Sequence, residues 1–377
     1  MDDVLILGGG VIGLSLAREL AAQGAKVRIL ERGTPAREAS WAGAGILPPA
    51  RATAASDPLE QLAALSARLH PEWAESLASE TGIDTGFRRC GGLYLAIDAA
   101  GALEVARQAE HWRSEGVAVE LLDAAQLAAC EPALAEGTGQ VLAAILAPEE
   151  CQLRNPWHTR ALLASCQLRG VIVSADTPVE AFVISAGKLT GVRTPAGTVS
   201  AAQYVLASGA WTAGLAEQLG LRLALKPIRG QIVLYQGTHD LHRVVNVGAR
   251  YLVPREDGRV LAGSTEEDVG FEKQNTPEGV TALQAFAEGL STKLRRAHVE
   301  MTWSGLRPAS LDGRPFLGPL PGFENAFVAA GHFRSGLQLS PATAVVMSQL
   351  LRGEPSAVPL PSFAVDRAVL GTGLERL

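Results

Sequence analysis

Three consecutive glycines lie between an apolar run and an amphipathic run near the start of the chain, in VLILGGGVIGLSLARELAAQGAKVRILERG, residues 4–33. The apolar run 4–7 predicts a short strand that is buried on both faces. Leucine and alanine at helical spacing after the glycines predict a helix that ends at Gly24. Residues 26–30 alternate as a second strand. The stretch therefore predicts a strand, a tight turn, a helix and a second strand.

The glycine turn has the spacing G-x-G-x-x-G at Gly8, Gly10 and Gly13. In a dinucleotide site the first glycine permits the tight turn, the second admits a pyrophosphate, and the third brings the helix against the strand. Glu31 lies about twenty residues further on, where an acid accepts hydrogen bonds from an adenosine ribose and disfavours NADP. The spacing alone is a weak signal, but the flanking strands, helix and acid favour a dinucleotide site over a structural turn. NAD and FAD both remain open on these residues.

Composition and charge exclude several classes of protein. The length of 377 residues favours two domains, and the net charge of −6 without a basic block argues against nucleic acid as a partner. Asp2 and Asp3 stand where a signal peptide would be basic, and no apolar run reaches the roughly 18 residues of a membrane span. The cysteines show no metal-ligand or C-x-x-C spacing, so we expect reduced thiols, no metal site and a cytoplasmic location.

The rest of the chain alternates between helical and strand patterns. We expect helices at 58–81, 99–115, 123–130 and 156–169, a strand at 90–97, a strand series over 171–207 and β-rich alternation over 226–304. FVAAGHFRSGLQLSPATAVVMSQLL, residues 327–351, again predicts strand, glycine turn and helix. Such units at both ends of the chain predict a dinucleotide domain assembled from distant segments. The proline-rich segment 354–363 is expected to pack loosely.

Six stretches together resemble the D-amino-acid oxidase family of flavoenzymes, in particular its bacterial glycine oxidases, some of which feed thiazole synthesis in the thiamine pathway. They are the opening unit, TPVEAF (177–182), YVLASGAWT (204–212), YLVPR (251–255), GLRPASLDGRPFLG (305–318) and GHFRSGLQLSPATA (331–344). The resemblance covers essentially the whole chain. It implies an α/β fold, α+β overall, in which a GR2-type Rossmann-like FAD-binding domain (1–84, 146–225 and 304–377) is interleaved with a mixed β-sheet substrate domain (85–145 and 226–303).

The same resemblance implies FAD as the cofactor. Members that attach the flavin covalently use a cysteine late in the chain, whereas the last cysteine here is Cys166, so the FAD is expected to be noncovalent. The implied cofactor-binding residues are Gly8, Gly10, Val11, Ile12, Gly13, Glu31, Arg32, Ala39, Ser40, Ala44, Gly45, Ile46, Val179, His332, Phe333, Arg334, Ser335, Gly336 and Leu337.

The implied substrate site consists of Tyr251, Arg307 and Arg334. Arg307 would bind a substrate carboxylate through both arms of its guanidinium, Tyr251 would donate to the same carboxylate, and Arg334 would lie near flavin and substrate. The implied reaction is oxidative deamination of glycine or another small amino acid, with O₂ as acceptor and hydrogen peroxide as product. Glu266 departs from the methionine that glycine oxidases carry at this position. It could repel a carboxylate, attract an amine or point to solvent.

Three alternatives to a soluble oxidase remain. A D-amino-acid dehydrogenase of the same fold would pass electrons to a membrane quinone, although the chain has no basic or amphipathic membrane patch. A noncatalytic flavin-binding module would not need the trio of substrate residues, and a nicotinamide enzyme is more distant. We expect a small amino acid and O₂ as partners, with no nucleic acid and no membrane. Whether the chain forms a homo-oligomer stays open.

Overall fold

The computed structural model of this chain describes residues 1–134 and 141–367. Its helices are α1 (Val11–Ala22), α2 (Ala39–Ala42), α3 (Pro58–Thr81), α4 (Ala99–Ser114), α5 (Ala124–Cys130), α6 (Asn155–Leu168), α7 (Thr212–Glu217), α8 (Pro277–Leu290) and α9 (Gly336–Leu351). Its strands are β1 (Asp2–Leu7), β2 (Val27–Leu30), β3 (Ile46–Leu47), β4 (Arg88–Arg89), β5 (Gly92–Ala96), β6 (Glu120–Leu122), β7 (Ala143–Ala147), β8 (Cys151–Gln152), β9 (Ile172–Ser174), β10 (Ala181–Ser185), β11 (Lys188–Thr194), β12 (Gly197–Val199), β13 (Ala201–Leu206), β14 (Leu225–Gln236), β15 (Val244–Val247), β16 (Arg250–Pro254), β17 (Arg259–Gly263), β18 (His298–Ser310), β19 (Phe316–Pro319) and β20 (Ala326–Ala330).

A six-stranded sheet contains both ends of the described chain, in the order β19-β20-β13-β1-β2-β9. β1 is parallel to β2 and to β13, and β20 joins β13 in parallel. Residues 4–7 of β1 are all buried, as expected for a central strand with packing on both faces. Gly24 follows α1 with a φ of +87°, a conformation that glycine adopts without strain. The predicted opening unit is therefore confirmed.

The two glycine-rich units lie side by side in this sheet. α9 packs against α1, and both helices contribute leucines to one hydrophobic core with α3 and α6. A second core on the opposite face joins the sheet to the small antiparallel sheet β10-β11-β12 and to α7. The prediction that distant segments assemble one dinucleotide-type sheet is confirmed.

A second sheet has eight strands in the order β18-β14-β17-β16-β15-β5-β7-β6. It is mixed, because β15 is parallel to β5 while the other neighbours are antiparallel. One face packs on α8 through a core that includes Val233, Leu252 and Leu283. The opposite face carries residues that line the cavity described below. The expected combination of a parallel α/β sheet with a mixed sheet is confirmed.

Helix α3 shows how local chemistry sets an element's bounds. Asp57 accepts a hydrogen bond from the N–H of Leu59 at 2.8 Å, Pro58 is the first helical residue, and Gly82 ends the helix with a φ of +70°. Each of these caps is recognisable in the sequence. The predicted bounds of this helix are confirmed.

Two expectations are wrong. The segment 226–304 is not β-rich throughout, because α8 interrupts it after the N-cap Thr276, whose side chain accepts from the N–H of Gly279 at 3.2 Å. The segment 354–363 is not loosely packed along its length, because Val358 and Phe363 are 2% and 0% exposed and belong to the core with α9. Apolar residues are a minority in both segments. Several of them are nevertheless buried, because they pack against segments that are distant in sequence.

None of the helices in residues 1–134 and 141–367 is long and apolar enough to cross a membrane. All four cysteines lie in these ranges and none forms a disulfide. The same residues contain no cluster of three or more histidine, cysteine or acidic side chains that would hold a metal ion.

Candidate active site

Residues of both large sheets line one cavity of about 740 Å³. Its walls come from the glycine turn before α1, from α2 and the segment after it, from the turn before α9, and from β14, β16 and β18. Every predicted cofactor and substrate residue lies on this cavity except Gly13, which lies beneath the glycine turn. The structure therefore brings together residues that are up to 329 positions apart, from Gly8 to Leu337.

The three motif glycines have different surroundings. A Cβ on Gly8, whose φ is +121°, would lie 2.5 Å from the carbonyl oxygen of Ala207, and a Cβ on Gly13 would lie 2.0 Å from that of Gly8. These two glycines are required by packing within the protein. A Cβ on Gly10 would meet only the Ser40 hydroxyl, at 3.2 Å, and Gly10 borders the cavity at the N-terminus of α1. Gly10 is therefore the position at which a ligand can approach the backbone.

Glu31 and Arg32 lie at one end of the cavity. The Glu31 carboxylate accepts from the N–H of Gly9 at 2.8 Å and from that of Gly33 at 3.1 Å, so it also holds the glycine turn in place. Arg32 pairs with Glu38 at 3.2 Å and lies 3.5 Å over the ring of Trp211. Val179 borders the same end. The predicted contact of Glu31 with a ribose stays a prediction.

The segment from Ala39 to Ile46 lies between the glycine turn and the mixed sheet. The Ser40 hydroxyl accepts from the N–H of Val11 at 2.9 Å. From the other side, the indole of Trp303 donates to the carbonyl of Ala42 at 3.0 Å, and Arg255 donates to the carbonyl of Ala44 at 2.6 Å. Burial lowers the pKa of Arg255 to about 10. Sequence reasoning missed Trp303 and Arg255, since only the tertiary structure places them against this segment.

His332 begins the turn that leads into α9, where Phe333, Ser335, Gly336 and Leu337 also border the cavity. Its imidazole lies 3.1 Å from the Thr343 hydroxyl, and burial lowers its pKa to about 3. The histidine is therefore neutral at ordinary pH and a weak base, so it is poorly suited to acid–base catalysis.

The opposite end of the cavity is formed by aligned residues of the mixed sheet. Asn246 of β15 pairs with Tyr94 of β5 on one side and with Tyr251 of β16 on the other, and Tyr251 pairs with Gly263 of β17. Aligned residues on neighbouring strands point to the same face of a sheet. Tyr94, Asn246 and Tyr251 accordingly all line the cavity.

Arg307 of β18 is held at this end by neutral groups. One arm of the guanidinium donates to the Ser264 hydroxyl at 2.6 Å and the other to the carbonyl of Thr265 at 3.1 Å. Burial lowers its pKa from the usual value of 12.5, and the Tyr251 and Glu266 side chains oppose that shift. Among the described residues no carboxylate forms an ion pair with it. An anionic ligand would therefore meet a positive charge that has no ion-pair partner among the described residues.

Two glycines that sequence reasoning missed make room for the substrate-site side chains. A Cβ on Gly263 would lie 2.6 to 2.7 Å from the ring and hydroxyl of Tyr251. A Cβ on Gly230 would lie 2.2 to 2.4 Å from the Arg307 guanidinium. The tyrosine ring and the guanidinium therefore lie flat over bare backbone. No motif marks these glycines, because their task depends on strand register.

Arg334, in the turn before α9, forms an ion pair with Glu266. The Glu266 side chain is 12% exposed and that of Arg334 is 43% exposed. Of the three orientations considered for Glu266, pointing to solvent is wrong. Glu266 instead forms its ion pair with the guanidinium of Arg334, the arginine that was predicted to lie near flavin and substrate.

Glu150 is a fully buried carboxyl behind the cavity wall, and no sequence signal marks it. It accepts hydrogen bonds from the Tyr94 hydroxyl and, at 3.3 Å, from the Asn246 amide. Burial raises its pKa to about 7, although both hydrogen bonds lower it in part. The Cys90 and Cys151 thiols lie near it and stay protonated, since burial raises the pKa of each.

We expect this carboxyl to make folding stability depend on pH. Between the usual value of 4.5 and about 7 the folded protein holds a proton that the unfolded chain has lost, so stability falls as pH rises through this window. At about 1.36 kcal/mol per pKa unit the loss is on the order of 3 kcal/mol. Denaturant unfolding at pH 5 and pH 8 should show this loss as the difference between the unaltered protein and Glu150→Gln, because the buried histidines His70, His158 and His332, whose lowered pKa values act in the opposite direction, titrate alike in both proteins. Equal pH dependence in both proteins would contradict the assignment.

Comparison with known proteins identifies the chain's relatives. Residues 3–350 match the family described as FAD dependent oxidoreductase. The chain belongs to this family. It is 37% identical over 371 residues to the glycine oxidase of Pseudomonas aeruginosa, with 97% of this chain and 99% of that protein covered. The resemblance found in the sequence is confirmed.

Solved structures of similar proteins have the same fold. The crystal structure of glycine oxidase from Geobacillus kaustophilus matches with a TM-score of 0.91 at 34% identity, covering 97% of this chain and 99% of that chain. The crystal structure of iminodiacetate oxidase from Chelativorans sp. BNC1 matches with a TM-score of 0.85 at 28% identity. The match covers 96% of this chain and 98% of that chain. This FAD-dependent oxidoreductase therefore uses FAD, which resolves the choice between NAD and FAD.

The cavity fits FAD on its own geometry. At Gly10 the turn has an open side next to the first amides of α1, which have no acceptor within the helix, although that of Val11 donates to the Ser40 hydroxyl. The cavity is lined without interruption from Glu31 at one end to Tyr251 and Arg307 at the other. We propose that Gly10, Val11 and Ile12 hold the pyrophosphate of FAD. The other predicted cofactor residues would contact the rest of FAD along the same cavity.

Proposed function

We propose that this FAD-dependent oxidoreductase oxidises glycine or another small amino acid, such as sarcosine or a small D-amino acid. The α-carbon loses a hydride and the amine becomes an imine, which water hydrolyses to an oxo acid and ammonia, or to an oxo acid and methylamine when the substrate is sarcosine. O₂ is the proposed acceptor and becomes hydrogen peroxide. The observation that carries the proposal is the Arg307 guanidinium, which neutral acceptors hold at the cavity and no carboxylate of the described residues neutralises.

The chemistry that FAD supplies when bound is the acceptance of a hydride equivalent from the substrate. Arg307 binds the carboxylate and fixes the direction of the α-carbon, and the Tyr251 hydroxyl donates to the same carboxylate. Both side chains are held in place by the sheet, since each lies against a glycine of a neighbouring strand. The site's contribution is orientation and exclusion of water.

The amine must lose its proton before hydride can leave. His332 is neutral, and the Arg307 guanidinium stays protonated, so neither of them takes up this proton in a pH-dependent step near neutrality. We propose that the ammonium releases its proton to water and that activity rises with pH along the titration of the substrate amine.

A peroxide-coupled screen of the purified yellow protein over glycine, sarcosine and D-amino acids tests this function. Peroxide formation with at least one of these amines supports it. Reduction of an artificial dye in the absence of peroxide formation would indicate the dehydrogenase alternative. A yellow protein that reduces neither acceptor with any of them would be a flavin-binding module, contrary to the proposal.

Several finer expectations remain proposals about this protein. Acid precipitation should release all the yellow colour as free FAD, and flavin that stays with the pellet would contradict noncovalent attachment. We also propose the division into domains at 1–84, 146–225 and 304–377 against 85–145 and 226–303. The six-stranded sheet lies wholly within the first set, whereas the bounds at 145/146 and 303/304 fall inside β7 and β18 of the mixed sheet. A cytoplasmic location and a supply of glycine imine for thiazole synthesis rest on the resemblance to glycine oxidases.

Replacing Gly263 with alanine should lower activity without removing FAD. The new methyl group would lie 2.6 Å from the Tyr251 ring, so the ring must move by about 1 Å. A displacement of that size costs up to roughly a hundredfold in rate, and we expect kcat/KM for glycine to fall at least about tenfold. Gly289→Ala in α8, where nothing lies within 4 Å of the new methyl, is the matched control. Unchanged kinetics in Gly263→Ala would show that the position of Tyr251 does not matter.

A further inference from the structure

A short stretch after β17 holds both arginines of the substrate end. Ser264 and Thr265 accept the hydrogen bonds of Arg307, and the next residue, Glu266, forms the ion pair with Arg334. The guanidinium groups of Arg307 and Arg334 therefore differ in whether an acidic side chain pairs with them. Arg307 has only neutral partners among the described residues, whereas Arg334 has a carboxylate.

The ion pair is well placed to control which ligands Arg334 can bind. Arg334 borders the cavity, while Glu266 lies behind it and is largely buried, with a side chain that is 12% exposed. Both the Nε and an Nη of Arg334 contact the same Glu266 oxygen, so the carboxylate occupies the edge of the guanidinium that a second anion would use. The acid also acts on Arg307, whose positive charge it favours.

We propose that Glu266 restricts the site to substrates with one carboxylate, because it neutralises Arg334 and leaves Arg307 as the single anchor. This inference rests on the proposed function, and it names the substrate class of the same site. A dicarboxylic amine would bring its second carboxylate against Arg334, where it must displace the Glu266 carboxylate or lie beside it. The second carboxylate of the ligand and the Glu266 carboxylate would then lie close together in a partly buried site. Their repulsion is strong enough to reject the ligand.

Ligand binding tests the inference without turnover. The purified yellow protein is titrated with glycolate, a monocarboxylate, and with diglycolate, a dicarboxylate, and each Kd is taken from the change in flavin absorbance. We expect the unaltered protein to prefer glycolate. Glu266→Gln keeps the shape of the side chain and frees Arg334, so the ratio of the two Kd values should shift at least about tenfold towards diglycolate.

Asp268→Asn is the matched control for this titration. It removes an acid two residues along the same segment, which pairs with Lys226 at 2.5 Å and not with Arg334. The ratio of the two Kd values in Asp268→Asn should stay within about twofold of that in the unaltered protein, because the Asp268 side chain is 59% exposed. A ratio that does not move in Glu266→Gln, or that moves equally in Asp268→Asn, would overturn the proposal.

Two further variants keep the test decisive if Glu266→Gln folds poorly. Arg334→Gln leaves the Glu266 carboxylate without its partner and should weaken binding of both ligands. The double variant Glu266→Gln/Arg334→Gln removes both charges, so Arg307 is again the single anchor and the preference for glycolate should return. A double variant that prefers diglycolate would contradict the role given to Arg334.

The corresponding turnover arm compares glycine with iminodiacetate in the peroxide-coupled assay. If the kcat/KM for iminodiacetate rises relative to that for glycine in Glu266→Gln, the inference is supported. If the ratio of the two kcat/KM values is unchanged, the inference is opposed. If the unaltered protein forms peroxide with none of glycine, sarcosine and the D-amino acids, the proposed function fails while the titration still decides the role of Glu266.

Discussion

The variant Arg307→Ala is expected to lose a factor of roughly 10 to 100 or more in kcat/KM for glycine while it keeps its FAD. A charge-assisted hydrogen-bonded pair contributes about 1.5–3 kcal/mol, and misorientation of the α-carbon adds to the lost binding. The effect should be large because no acidic side chain of the described residues forms an ion pair with the guanidinium. It is therefore available to bind a ligand carboxylate.

Arg307→Lys keeps the charge but loses the two-armed geometry, so it should recover only part of the activity. Oxidation of methylamine, which lacks the carboxylate, should respond little to either change. Arg250→Ala is the matched control, since Arg250 is an exposed arginine of β16 next to Tyr251 whose guanidinium lies 5.7 Å from the Phe286 ring. If Arg307→Ala oxidises glycine as well as the unaltered protein does, the substrate carboxylate does not bind at Arg307.

The variant Gly10→Val is expected to fold but to purify as a colourless protein. The backbone at Gly10 has φ −78° and ψ −177°, which valine adopts readily, and a Cβ there meets only the Ser40 hydroxyl at 3.2 Å. The branched side chain would instead occupy the space that we propose for the FAD pyrophosphate. We expect FAD affinity to fall by at least roughly ten- to a hundredfold.

Neighbouring glycines could not provide this test. Gly8 has a positive φ and Gly13 is packed 2.0 Å from the carbonyl of Gly8, so substitutions there would disturb folding itself. Circular dichroism and thermal unfolding check that Gly10→Val is folded, and Gly289→Val, with open space around the new side chain, should stay yellow. A folded and fully loaded Gly10→Val protein would place the pyrophosphate elsewhere.

Local features of this protein were predictable from its sequence. The opening strand, turn, helix and strand follow from apolar spacing and glycine placement within about thirty residues. The bounds of α3 follow from Asp57, Pro58 and Gly82, which act on atoms only a few residues away. The predicted substrate residues came from the family resemblance, and the structure places Tyr251, Arg307 and Arg334 on one cavity.

The tertiary structure alone decided how these side chains are held. Gly230 lies under Arg307 because β14 pairs with β18, and Gly263 lies under Tyr251 because β17 pairs with β16. Neither glycine has a local pattern that distinguishes it from a turn glycine. Strand register sets which backbone lies beneath a given side chain, and register is a property of two segments and not of one.

The partners of the buried and half-buried charges were decided in the same way. The sequence by itself determined that an acid stands at Glu266 and that an arginine stands at Arg334, 68 residues later. Only the fold determined that the two form an ion pair and that Glu150 is enclosed behind Tyr94 and Asn246. The physical reason is that the charge state of a group depends on desolvation and on neighbouring charges, and both are set by segments that meet only when the sheets assemble.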